Sequence, residues 1–154
     1  PAIVEMGAQG VEFVPDHRAA AAAAFRLGRP VLLTIGTRHL SPYVDEARRT
    51  GVCLVARVLD HPQSIEACRR AGIPAEHILS GRGPYSVEEN RRHLAAFGIG
   101  VLVTKDSGEA GGTREKLEAA RIERCRVVVV ARPPLDLREA LTSLDALLEA
   151  LGRI

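Results

Sequence analysis

Six short runs of mostly branched aliphatic residues, at 11–14, 30–35, 52–59, 78–79, 99–103 and 126–131, alternate with segments long enough for one helix each. A short, continuous apolar run reads as a strand buried on both faces. Strands separated by helical segments of this length require crossover connections between parallel neighbours. The expected fold is therefore α/β, a Rossmann-like three-layer sandwich in which a parallel five- or six-stranded sheet lies between two helical layers. With 154 residues, 46% of them hydrophobic, the chain is long enough for one domain with a sizeable core.

The segments between the runs carry helix punctuation. Asp16 precedes six consecutive alanines at 19–24, a helix that ends at Gly28. Ser41 and Pro42 supply a cap and a first-turn proline for a helix stopping near Gly51, and residues 62–71 form another, closed by Gly72. Ser86 with Glu89 three residues later is a capping box for a helix over 87–97. A terminal helix is expected from Asp136 or Leu137 almost to Gly152. Residues 1–10 show no useful periodicity and begin with Pro1 rather than Met. The expectation is a residual linker at 1–10 and a single α/β domain at 11–154, cut from a longer polypeptide.

Residues 104–121 are the most informative chemically. The apolar run 99–103 feeds a loop containing Lys105, Ser107, Gly108, Gly111, Gly112 and Thr113, and that loop opens into a helix at 114–121. Free backbone amides at a helix start, close approach allowed by the glycines, and the donors Lys105, Ser107 and Thr113 favour a phosphate or carboxylate. Asp106 is assigned to positioning the loop. Parallel sheets bind ligands beyond the carboxyl ends of their strands, so the segments following the strands form one candidate rim. Arg38, Arg57, Arg82 and Arg132, with Lys105, recur there, and guanidinium forks suit a ligand carrying several carboxylates or phosphates. Taken singly, Gly36, Gly81 and Gly83 are also ordinary turn residues, and Arg82 or Arg132 an ordinary solvated arginine; the set is what points to a ligand.

Other chemistries are disfavoured. Three widely spaced cysteines, Cys53, Cys68 and Cys125, with no C-x-x-C, read as buried thiols in a reducing compartment. The five histidines, His17, His39, His61, His77 and His93, have no metal-ligand spacing and are expected at surface or turn positions; no metal site is expected. Aromatic residues are 3% and the net charge only +2, which argues against nucleic-acid binding. No stretch approaches the roughly 20 apolar residues of a membrane span, so a soluble, cytoplasmic protein is expected. Neither a G-x-G-x-x-G turn nor a Walker lysine-serine motif is present.

The succession LLTIGTRHLSPY (32–43), LVARVLD (54–60), ILSGRGPYSVEEN (78–90), VLVTKDSGEAGGTREKLEAAR (101–121) and VVVVARPP (127–134) resembles the precorrin-6A reductase family, most closely its cobalt-precorrin-6A branch. The resemblance spans 11–134 and covers the second half of a family member only. It implies an NADPH- or NADH-dependent oxidoreductase of cobalamin biosynthesis. Such an enzyme transfers hydride to a double bond of (cobalt-)precorrin-6A, giving (cobalt-)precorrin-6B, in a cleft between two similar α/β domains. It implies that Lys105, Ser107, Gly108, Gly111, Gly112 and Thr113 face the cofactor, and that Arg82 and Tyr85 belong to the family's Gly-Pro turn. With Arg38, Arg57 and Arg132 they are candidates for binding the polycarboxylate macrocycle. The missing N-terminal α/β domain is the implied partner, and the isolated chain is expected to be inactive. Two other expectations stand beside this one. One is a non-catalytic module binding a nucleotide or anionic small molecule; the other is a homodimer formed through the sheet edge near Val11.

Overall fold

The computed structural model describes residues 10–105 and 112–131. Six strands, β1 (Val11–Val14), β2 (Val31–Thr34), β3 (Leu54–Leu59), β4 (Ile78–Gly81), β5 (Val101–Lys105) and β6 (Arg126–Val130), form one sheet. Its order is β1-β6-β5-β2-β3-β4 and every neighbouring pair is parallel. The intervening helices are α1 (His17–Phe25), α2 (Ser41–Thr50), α3 (Pro62–Ala71), α4 (Val87–Ala96) and α5 (Thr113–Ile122). The expected Rossmann-like α/β sandwich is what the chain forms, with six strands.

Alternation along the strands explains why both faces are covered. Val31 and Leu33, Leu54 and Ala56, and Val101 and Val103 pack with residues of α1, α2 and α3, whereas Leu32, Val55 and Leu102 pack with Leu94 of α4 and Leu117 of α5. The central strands β2, β3, β5 and β6 are covered on both faces along most of their length, so they read as nearly unbroken apolar runs, whereas β1 and β4 at the two ends of the described sheet keep exposed residues. Ala20, Ala21, Ala23 and Ala24 of α1 are all buried, and their small side chains let this helix lie close to the sheet.

Local chemistry sets the helix ends. Asp16 accepts from the Ala19 amide, His61 accepts from the Gln63 amide, and Ser86 and Glu89 complete a reciprocal capping box. Gly51 and Gly72 close α2 and α3 in the left-handed region, at φ 74° and 99°. One cap differs from expectation. Ser41 is the first residue of α2 rather than its cap; Leu40 precedes it with helical dihedrals and no side-chain bond, while Pro42 occupies the first turn as expected. The terminal helix expected from 136 onward lies outside the described residues, as do residues 1–9.

From β2 the chain steps outward through β3 to β4, then returns to the other side of β2 for β5 and β6. The direction therefore reverses between β2 and β5. Crossovers on either side of that point diverge and leave a crevice at the carboxyl edge.

Candidate functional site

A pocket of about 190 Å³ opens at this reversal, lined by Thr34 and Gly36 at the end of β2, Arg57, Val58 and Leu59 of β3, Gly81, Gly83, Pro84 and Tyr85 at and beyond the end of β4, Asn90 of α4, and Gly112 and Lys116 at the start of α5. Arg57 is its floor. In β3 the residues 54, 56 and 58 face one helical layer and Val55 the other, so Arg57 points toward α4, where an aliphatic residue is the norm. It is only 6% exposed. Its Nη1 donates to Asn90 Oδ1 at 2.7 Å and to His93 Nδ1 at 3.0 Å, and its guanidinium lies 4.2 Å from the centre of the Tyr85 ring. Asn90 is held in turn, because its amide donates to the carbonyls of Tyr85 and Ser86.

The electrostatics of this group follow from burial. Burial brings Arg57 down to about 10, against the influence of Tyr85 and Glu89, which favour its charge. Lys116, half-buried one turn into α5, comes down to about 8, first through burial and then through repulsion from Arg57 and Lys105. His93 is lowered by burial and then by Arg57. Since an arginine can only donate, His93 accepts through Nδ1 and carries its proton on Nε2. Among the described residues no carboxylate lies within ion-pair distance of Arg57 or Lys116.

Of the residues singled out in the sequence, Arg57, Tyr85 and Gly112 line this pocket together, with Gly36, Gly81 and Gly83 from the same rim. Gly112 is the N-cap of α5 at φ 70°, a conformation favouring glycine, and Thr113 is buried as the helix's first residue. Lys105 is exposed at the end of β5; it does not line the pocket, although its charge acts on Lys116. Arg38 and Arg82 are exposed and also lie outside the lining. Ser107, Gly108, Gly111 and Arg132 lie outside the described residues. Lys116, Asn90, His93 and Thr104 were not singled out in the sequence. The available signal was spacing: 113, 116, 117 and 120 fall on the packed side of α5, so a lysine at 116 flanks a buried face.

A second polar cluster occupies the same carboxyl edge on the other side of the sheet. His17 Nδ1 and the Tyr43 hydroxyl share a hydrogen bond of 2.8 Å, and His39 stacks on His17 with ring centres 4.2 Å apart. Tyr43 is fully buried. His17 is brought down to about 4 by burial, by His39 and by Lys105, with Asp16 opposing, and burial raises the Tyr43 phenol. The expectation of surface or turn positions for the histidines is therefore corrected for His17 and His93, which are half-buried and hydrogen-bonded.

The sequence pattern described as "Precorrin-6x reductase CbiJ/CobK" matches residues 1–152. Cobalt-precorrin-6A reductase of Priestia megaterium is 30% identical over 139 residues, which is 90% of this chain and 54% of that protein. The protein of the same description from Methanocaldococcus jannaschii is 30% identical over 142 residues, 92% of this chain and 55% of its own length. Among solved structures, CobK precorrin-6A reductase superposes with a TM-score of 0.63 at 30% identity, covering 80% of this chain and 46% of that one. The chain thus spans about half the length of the relatives it matches.

Proposed function

Because this chain belongs to the precorrin-6x reductase family CbiJ/CobK, we propose that its carboxyl edge forms one wall of a reductase cleft in cobalamin biosynthesis. The other wall comes from a second α/β domain. The observation carrying this reading is the pocket at the strand-order reversal, where Arg57 and Lys116 present two cations without a described counter-ion. The proposed substrate is (cobalt-)precorrin-6A and the product (cobalt-)precorrin-6B. NADPH or NADH, when bound, supplies the hydride.

The residues suit such ligands in part. A pocket of about 190 Å³ is smaller than the roughly 300–1,000 Å³ of a complete small-molecule site. It therefore accepts a portion of a dinucleotide or macrocycle, as one wall of a cleft should. Lys105, Gly112 and Thr113, with Ser107, Gly108 and Gly111, are assigned to the cofactor's phosphates. Arg57, Arg82 and Tyr85, with Arg38 and Arg132, are assigned to carboxylates of the macrocycle. Their work is binding and orientation, which brings the reacting carbons together.

The test joins this chain to an N-terminal α/β domain of the family and follows NADPH binding by calorimetry and turnover by absorbance. Binding and reduction are expected only in the two-domain protein, and Arg82→Ala or Lys105→Ala should weaken ligand binding. Unchanged affinity and turnover in both variants would remove those residues from the site. Equal nucleotide binding by the lone chain, without reduction in the joined protein, would instead identify a non-catalytic anion-binding module.

A further inference from the structure

The arrangement of Arg57 and Lys116 demands more of a ligand than a general basic rim does. The two cations come from different layers, a central strand and the helix packed over it, and both are withdrawn from water. Removing like charges from water without a counter-ion opposes folding, and a bound anion relieves that opposition.

Arg57 is also aimed. Nη1 is committed to Asn90 and His93, and Tyr85 covers one face of the guanidinium, while Nε and Nη2 donate to no described residue. No fully buried side-chain nitrogen or oxygen among the described residues lacks a partner, so these two nitrogens are not sealed away, and the residue that carries them lines the pocket. Among the described residues Lys116 Nζ reaches only Thr104 Oγ1, at 3.4 Å, the long end of a hydrogen bond, and retains donors for a ligand. Gly36, Gly81, Gly83 and Gly112 add no side chains to the rest of the lining, which Thr34, Val58, Leu59 and Pro84 complete.

We propose that Arg57 and Lys116 form a subsite for a single oxyanion group, the carboxylate or phosphate arm of a larger ligand, with Asn90 and His93 as positioning residues that aim Arg57. The parent ligand's identity rests on the reductase reading; the subsite itself does not. The guanidinium edge takes the anion in a fork, and Lys116 closes on it as a point charge.

A proton accompanies the anion. The charges acting on Lys116 are Arg57 of β3 and Lys105 of β5, both of its own sign. Glu89 and His93 of α4, with Tyr85 before it, act on or contact Arg57, and Glu115 lies beside Gly112. An arriving anion returns Lys116 toward its ordinary range, so binding near pH 8 takes up a fraction of a proton.

The experiment titrates this chain calorimetrically with inorganic phosphate and, separately, with tricarballylate, at pH 8 in two buffers of different ionisation enthalpy. One-to-one binding with proton uptake is expected for at least one anion. Lys116→Met should weaken it tenfold or more and abolish the uptake, and Arg57→Met should weaken it similarly. Arg70→Ala, on the exposed side of α3, should change nothing. A preference for phosphate assigns the arm to a dinucleotide, and a preference for tricarballylate assigns it to a macrocycle carboxylate. Should either methionine variant unfold, the wild-type Lys116 side-chain resonance in labelled protein serves instead, and its shift on adding anion is the expected result. No binding of either anion at millimolar concentration, equal binding by Lys116→Met, or an unmoved Lys116 resonance overturns the subsite. The reductase reading survives that failure, because NADPH binding and turnover of the two-domain protein test it separately.

Discussion

At position 57 the strand keeps its alternation but changes its chemistry, placing a buried guanidinium opposite Leu79 of β4. Asn90 is what makes that tolerable, since it accepts from Arg57 while donating to the carbonyls of Tyr85 and Ser86. Asn90→Ala is expected to destabilise the chain by about 1–3 kcal/mol in urea unfolding, because a buried donor loses its partner. Asn90→Asp should abolish anion binding by placing an internal counter-ion against Arg57. His17 makes a second residue-scale prediction. The unfolded imidazole takes up its proton near its ordinary 6.5, the folded one only near 4. Between those values the unfolded state binds more protons, so stability falls as pH falls from 6.5 to 4. A His17→Gln variant should show a shallower decline over that window when urea midpoints are plotted against pH.

At the scale of elements, the turn after β4 and the start of α4 work as a unit. The capping box fixes the first turn of α4 and with it the register that aims Asn90 and His93 at β3. Ser86→Ala should cost about 1 kcal/mol by urea denaturation. Gly81 bears on the same unit from the strand side: a Cβ there would lie 2.7 Å from the Tyr85 hydroxyl. That contact is with the far end of a movable side chain, so Gly81→Ala should leave the unfolding midpoint nearly unchanged while displacing Tyr85 from Arg57. Since the chain has two tyrosines and no tryptophan, the tyrosine emission spectrum reports the displacement.

At the scale of the whole molecule, the reversal between β2 and β5 collects the site. It brings Thr34, Arg57, Tyr85, Gly112 and Lys116, separated by as much as half the sequence, around one pocket. One surface remains at an end of the described sheet. Among the described strands β1 lies at the edge of the sheet, its Phe13 is 46% exposed, and an edge of this kind invites a partner. Sedimentation velocity of this chain is expected to show dimer increasing with concentration, and Phe13→Lys should suppress it; a monomer at every concentration would dismiss the homodimer.

The sequence by itself determined the alternation of strands and helices, most of the caps and the α/β class. Those features depend on neighbours within a turn or two, and short-range chemistry is written in order along the chain. It also named Arg57 as one of the arginines on the rim after the strands, Gly112 as a glycine of the loop before a helix, and Tyr85 through the family's Gly-Pro turn. Tertiary structure alone decided that these three share a pocket while exposed Arg38, Arg82 and Lys105 do not line it. It likewise brought in Lys116, Asn90 and His93, and it buried His17 against Tyr43. The physical reason is that burial and charge proximity are set by strand order. Nothing in the linear spacing of residues 57, 90 and 116 records that β3, α4 and α5 meet at one edge of the sheet.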